Sequence, residues 1–478
     1  MTMAHSVEYF YDNSRWSAMA YDDGMTMMLH FWVLFYLVFV LPFGSAIPTP
    51  TPTTHVIWHA PFLTGGGYSS EAWDFALGID AVVANEPAIR FGAVQFAEQQ
   101  SRAFVDGTDS GRLEFIRNAF SAGKLAVTRY FRGSSRDGII AVCHATPDVY
   151  VPSVFPGWDQ IAPCPPQHTR KNAGAFAYSI ARTMFETDRI PEKWVPRLNK
   201  MDEIWVPTAF HVASFAYSGV VRAKLFVVPE AVDSIMFTPA GDRYALPPPT
   251  APHCSDEFTF LSVFKWERRK GWDVLLKAFF NEFLHDECVR LVIKTKPFYT
   301  DFEGETIQEY AKRYAFDNIA GLNKELPALH VIETPIDDMP SLFRAADAFV
   351  LPSRGEGWGR PVAEAMATSL PVLATNWSGP AAFINEENAY PVRVDRTTLV
   401  SGHEEEGHKW AEPSQEHLQE LMRHVFENAN QARAKGARGR RDMIEKYSPE
   451  KVASIVIQRV KDILRNYNHD GEQSKQEL

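Results

Sequence analysis

The chain has 478 residues, a formal net charge of −11, 45% hydrophobic and 22% charged residues. That length exceeds what one core usually serves, so two domains are expected; the acidic balance argues against a nucleic-acid polyanion as main partner but not against a local basic pocket. Cys143, Cys164, Cys254 and Cys288 show no C-x-x-C spacing, which argues against a zinc or thioredoxin-like site, and four are too few for a disulfide-dependent fold.

An acidic tail (1–24) holds Glu8, Asp12, Asp22 and Asp23 against Arg15 alone. Met25 to Leu41 then reads MTMMLHFWVLFYLVFVL, and counting on through Ile47 brings the run near the ~20 residues that cross a bilayer. A cleaved signal peptide is the rival, since Gly44-Ser45-Ala46 offers a small-residue site, but the long acidic lead favours a retained signal anchor over 25–47. The Pro/Thr-rich 48–54 reads as a stem. The expectation is a single-pass membrane protein, with too few positive residues on either side to fix its orientation.

Beyond the stem, apolar runs alternate with helix-compatible segments. HVIWHAPF (55–62), FGAVQF (91–96), LAVTRYF (125–131), GIIAVCHA (138–145), EIWVPT (203–208) and LFVVPE (225–230) read as strands. Gly65, Gly66 and Gly67 follow the first, and Ser69-Ser70 suit a helix N-cap. The theme repeats with FTFLSVF, VRLVIKT, LHVIET, AFVLPS and PVLAT. Between the halves, PAGDRYALPPPTAPHCS (239–255) breaks helix and sheet alike. The fold class is therefore α/β: two doubly wound domains, 55–238 and 256–446, facing a cleft in which ligands sit at strand C-terminal ends. Apolar residues Val452, Ile455, Val456, Val460 and Ile463 mark a helix over 447–466, and the polar tail 467–478 reads as disordered.

The most informative stretch follows the strand AFVLPS. Arg354-Gly355-Glu356-Gly357-Trp358-Gly359-Arg360-Pro361 leads into the helix-forming VAEAMATS. The glycines allow close approach to a ligand, Pro361 suits the first helical turn, and the free amides beyond would face an anion. Seven residues separate Glu356 on the loop from Glu364 about a turn into the helix.

EGWGRPVAEAMA resembles the diagnostic region of the large family-4-type retaining glycosyltransferases. The resemblance implies a GT-B fold, with Glu356 by the donor sugar, Glu364 on the nucleotide ribose, and Gly357, Trp358, Gly359 and Arg360 lining the donor site. After FLSVF, the run Lys265-Trp266-Glu267-Arg268-Arg269-Lys270-Gly271 matches the family's two diphosphate-binding cations at Lys265 and Lys270, with a lysine where arginine is commoner. In the first half, Gly65–Gly67 matches a diphosphate or acceptor loop, His144 a residue facing the donor sugar, and Glu186 of a Phe-Glu pair an acceptor contact. The resemblance further implies transfer from a nucleoside-diphosphate sugar to a carbohydrate, lipid or protein acceptor, with no metal or other cofactor. Catalysis would rest on Glu356, His144 and Lys270, and the last helix would brace the first domain. The single span and stem suggest the Golgi or ER. A nucleotide-sugar epimerase or a non-catalytic binder could share the same frame.

Overall fold

The computed structural model describes residues 53–131, 138–151, 164–165, 177–298, 302, 304–319, 325–400 and 407–476. The expected tail, anchor and nearly all of the stem lie outside them. Among the described residues no helix is long and apolar enough to cross a membrane.

The first sheet contains β1 (Thr54–Ala60), β2 (Ile89–Gln95), β3 (Gly138–His144), β4 (Ala177–Arg182), β5 (Glu203–Val206) and β6 (Leu225–Val227), ordered β2-β1-β3-β4-β5-β6. All its pairings are parallel. Parallel strands need crossover helices that cover both faces. Val56 and Trp58 face one apolar cluster together with Phe75 and Ile79 of helix α1 (Gly67–Val83). Ile57, Ile139 and Ala141 face the other side, where Ala126 and Tyr130 of α2 (Ser110–Phe131) pack. LAVTRYF is thus the end of a helix and not a strand. Ile116, Ala119, Ala126 and Tyr130 are buried at helical spacing, and a Cβ at Gly123 would strike the Ala93 backbone of β2. The helix before β6 is α3 (Ala209–Tyr217).

The second sheet holds β7 (Phe258–Val263), β8 (Val289–Lys294), β9 (Ala328–Ile332), β10 (Ala348–Leu351), β11 (Val372–Thr375) and β12 (Tyr390–Val392). Its order is β12-β11-β10-β7-β8-β9, again all parallel. Helices α4 (Trp272–Glu282), α5 (Ile307–Asn318), α6 (Arg360–Ala367), α7 (Gln415–Glu427) and α8 (Ala429–Tyr447) belong to this half. An antiparallel hairpin of β13 (Val394–Leu399) and β14 (Lys409–Pro413), absent from the sequence reading, stands apart from the sheet.

The last helix, α9 (Pro449–Gln476), returns to the first domain, where Val452, Val456, Val460 and Ile463 join the α1 cluster. Gly78 makes this docking possible, because a Cβ there would collide with the Pro449 carbonyl. Ile455, expected on the apolar face, is exposed, and Ile457 is buried. The helical backbone also runs to Gln476, through the segment expected to be disordered.

All four cysteines are paired, as Cys143–Cys164 and Cys254–Cys288. Two disulfides are therefore present in a chain whose four cysteines read as too few for a disulfide-dependent fold. The first closes on the end of β3; the second ties the end of the interdomain link to the residue before β8.

Candidate functional site

β7 and β10 are neighbours, pairing Phe260 with Ala348 and Leu261 with Phe349. Their C-terminal loops therefore emerge side by side, which is how Lys270 and Glu356 meet across 86 residues of sequence. After β7 a 3-10 turn, Arg268–Lys270, leads to Gly271 at φ 70°, the left-handed residue that starts α4. Only glycine fits, since a Cβ would overlap the Pro352 carbonyl. After β10, Gly359 at φ 99° caps α6 in the same way.

Arg354 fastens the two loops. Its backbone N–H donates to Arg269 O at 2.6 Å. Its buried guanidinium donates to both Asp273 oxygens at 2.7 and 2.8 Å and to both Glu412 oxygens at 2.8 and 3.1 Å. On this base Lys270 Nζ donates to Glu356 Oε1 and Oε2, each at 2.8 Å. The Glu356 N–H donates to Ser378 Oγ at 2.9 Å. Arg269, passed over in the sequence as part of a basic run, joins them: it donates to Gly355 O at 2.8 Å and lies 3.7 Å from Glu356 Oε2. Burial opposes its charge, but Glu186, Glu356 and Glu267 hold it firmly protonated.

The loop after β4 closes over this group from the first domain. A Cβ at Gly355 would meet Glu186 O, and one at Gly357 would meet Met184 Sδ, so these glycines serve domain contact. Glu186 Oε1 is 3.1 Å from Arg269 Nη1, a partly exposed ion pair between domains. The hairpin holds the same loop, with Asp188 N–H to Lys409 O at 2.9 Å, Lys409 N–H to Asp188 Oδ1 at 2.7 Å, and Thr187 Oγ1 2.9 Å from His408 Nδ1.

Several expected ligand contacts stand elsewhere. His144 is fully buried. Trp58 Nε1–H donates to its Nδ1 at 3.0 Å, which leaves its Nε2–H to donate to Glu71 Oε2 at 2.9 Å. Neither nitrogen is free to face a donor sugar. Burial alone would raise Glu71, but Arg182, bonded to it at 2.7 Å, and His144 outweigh that and hold it at about 2. Trp358 is core, packed on Phe383 and Tyr447 at 4.6 and 5.3 Å between centroids. Lys265 sits at the rim with Nζ 4.6 Å from the Phe298 ring centre, partial desolvation holding its ammonium below the usual range. It makes no ion pair with Glu356.

Gly65–Gly67 forms the entry to α1. Gly66 is the N-cap and the helix starts at Gly67, so Ser69 and Ser70 lie inside its first turn and donate back to Phe62 O and Gly66 O. Gly67 faces open space. Glu364 is a turn into α6, raised by burial to about 7. Arg360 turns from the loop toward the first domain, donating to Asp74 Oδ2 of α1 at 2.7 Å. Among the described residues, the cluster with metal-ligand proximity is His253 with Cys254 and Cys288, remote in the link and with its sulfurs already joined.

The arrangement offers paired cations and a helix N-terminus to an anion, with carboxylates on both sides to accept hydroxyl hydrogens. The chain is similar to several known proteins. Mannosylfructose-phosphate synthase of Agrobacterium fabrum (strain C58) is 26% identical over 166 residues, 34% of each chain. The chain covers only 34 to 40% of the length of the curated relatives it matches. In structure, Anabaena HepE in complex with UDP aligns with 86% of this chain and 100% of its own at 13% identity, TM-score 0.54. Sucrose-phosphate synthase of Thermosynechococcus elongatus aligns over 86% and 100% at 16% identity, TM-score 0.55. The fold is GT-B-like, with two Rossmann-like parallel-sheet domains. Residues 255–403, which carry Lys270, Glu356 and Glu364, match the family Glycosyl transferases group 1, and the chain thus contains a glycosyltransferase group 1 domain.

Proposed function

We propose that the chain is a retaining glycosyltransferase moving a sugar from a UDP- or GDP-sugar to a carbohydrate, lipid or protein acceptor. The observation that carries this is the Lys270–Glu356 pair, 2.8 Å apart beside the start of α6. A diphosphate entering there takes Lys270 and Arg269 from their carboxylates, as phosphate is the stronger anionic partner for both. Glu356 is then free to accept hydrogen bonds from the sugar, and Glu364 from the ribose. As the anomeric C–O bond breaks, its electron pair stays with the diphosphate oxygen, and the two cations and the α6 dipole stabilise that charge. These groups supply the electrostatic work for which other transferases use a metal. The acceptor hydroxyl attacks on the face the diphosphate leaves, passing its proton to the departing diphosphate oxygen as the new C–O bond forms, and this same-face attack retains the configuration. The acceptor approaches past the loop after β4 and Gly65–Gly67.

We also propose that 25–47 anchors the enzyme in a Golgi or ER membrane with the catalytic domains in the lumen. The pairing of all four cysteines supports this, because disulfides persist in oxidising compartments. A thermal-shift screen of UDP, GDP and their sugars tests the donor, since a ligand that binds only the native state raises its stability. NMR of the product tests the stereochemistry, and an inverted anomer overturns retention. Turnover of a sugar nucleotide without any acceptor would favour an epimerase.

A further inference from the structure

Arg360 stands where α6 meets the first domain. Its guanidinium donates to Asp74 Oδ2 of α1 at 2.7 Å and to Ala231 O at 3.3 Å, and it lies 3.5 Å from Glu230 Oε2, on the segment leaving β6. Its Nε is 3.8 Å from Glu364 Oε1, one turn along its own helix. One cation is therefore shared by carboxylates from both domains. Among the described residues no group donates a hydrogen bond to the Glu364 carboxylate, so Arg360 restrains it while leaving its oxygens open to a ligand. Asp74 and Glu230 are almost fully buried, so burial opposes a charge on either and the guanidinium between them is what favours one.

We propose that Arg360 is a positioning residue that makes nucleotide capture and domain closure one event: it aims Glu364 into the cleft and is itself held across the domain boundary by Asp74. This rests on the reading of Glu364 as a nucleotide-binding group. The tie works in both directions. An open cleft frees Arg360 from Asp74 and loosens Glu364, and a nucleotide on Glu364 fixes α6 where Asp74 can reach it.

The charges around the tie give it a signature. Burial raises Glu364 to about 7; Arg360 pulls it down and Asp74 pushes it up. Asp74 is raised by burial to about 6, held down by Arg360 and Arg112 and pushed up by Asp233. Glu230 is raised well above its usual range by burial and Glu71, against Arg360 and Arg182. An ionised Glu364 is the better acceptor for a ribose hydroxyl, so nucleotide affinity should rise as pH climbs through its titration. Arg360→Met removes the group that lowers Glu364, which moves that rise to higher pH. Asp74→Asn removes a group that raises it, which moves the rise to lower pH. A residue that merely fills space would move neither.

The test is UDP binding, with GDP in parallel, by calorimetry on the full chain in detergent from pH 5.5 to 9. The wild type should tighten through about pH 7. Arg360→Met should bind about tenfold more weakly at pH 7, the worth of one charge-assisted hydrogen bond, with its rise displaced upward by about half a pH unit or more. Asp74→Asn should displace it downward, and Arg360→Lys should restore most of the wild-type profile by keeping the charge. If Arg360→Met does not fold, the downward displacement expected of Asp74→Asn, set against an Arg360→Lys profile close to the wild type, carries the test. Unchanged profiles, or displacements in one direction, overturn the positioning role while leaving the nucleotide reading intact. Binding of neither nucleotide by the wild type at any pH overturns that reading and this inference with it.

Discussion

Lys270 makes two hydrogen bonds to Glu356 in the structure and would face the diphosphate in the reaction, so its binding and catalytic contributions can be separated. Lys270→Ala should lower kcat about a hundredfold, because charge accumulates on the leaving group only as the bond breaks. The dissociation constant for the nucleotide diphosphate should change by less than about tenfold, since Arg269 and the α6 amides remain. Equal losses in both, measured by steady-state kinetics and calorimetry, would make Lys270 a plain binding residue. Glu364 gives a stability test. Its folded carboxyl titrates near 7 against an ordinary 4.5, so the folded protein keeps a proton the unfolded chain has lost. Stability therefore falls as pH rises through that window, and the full cost is present above it. Glu364→Gln should remove on the order of 1–3 kcal/mol of that cost at pH 8 and almost none at pH 4, read from urea midpoints; a difference independent of pH would contradict it. The positions of Lys270, Glu356 and Glu364 after β7 and β10 were legible in the sequence because glycine loops and helix starts mark them locally. Arg360 was legible as a position and misread as a contact, because Asp74, 286 residues away, is brought to it only by domain docking. His144 and Trp358 looked like ligand groups for the same reason, since Glu71 and Tyr447, which occupy them, are remote in sequence.

At the scale of elements, strands were legible wherever a β-branched run stood between turn signals, while their order in the sheets was not. AYSIAR escaped notice because Tyr178 and Ser179 are only half-buried and interrupt the apolar pattern. LAVTRYF misled because a short apolar run fits a strand as well as the end of a helix; the buried spacing from Ile116 to Tyr130 decides it only when read over the whole of α2. The β13–β14 hairpin carries exposed polar side chains on β13, so it lacks the alternation that announces a half-buried strand. Turn glycines allow a comparison between elements. Gly271→Ala places a Cβ on the Pro352 carbonyl at a left-handed residue, and should cost about 2–4 kcal/mol and weaken nucleotide binding by shifting Lys270. Gly67→Ala meets open space in a helical first turn, so stability should hold or rise by about 0.4–1 kcal/mol. A fall in activity in that variant would then report a ligand at the loop, and unchanged kinetics would remove Gly67 from the acceptor path.

At the scale of the whole molecule, α9 and the two disulfides hold together parts of the chain that are distant in sequence. α9 belongs to the first domain's core although it ends the chain, so the domains cannot be separated by cutting the link without exposing that core. The disulfides close loops of 21 and 34 residues, each worth about 3–4 kcal/mol by chain entropy. Cys254→Ser with Cys288→Ser should therefore lower the thermal midpoint while leaving nucleotide affinity near wild type, because that bridge is remote from Lys270 and Glu356. A fold stapled in this way is best made where thiols are oxidised, and that joins the chemistry of the cysteines to the apolar run at 25–47. Removal of residues 1–50, which spares Thr54 and the start of β1, should yield a soluble enzyme that keeps its activity. The full chain should resist alkaline carbonate extraction. In intact vesicles the catalytic domains should survive protease until detergent is added, and alkylation before reduction should label none of the four cysteines. The two readouts are independent, since protection reports the side of the membrane and alkylation the redox state of that side. Digestion without detergent, together with four reactive thiols, would place the domains in the cytosol and leave the anchor as the only part of the lumenal proposal still standing.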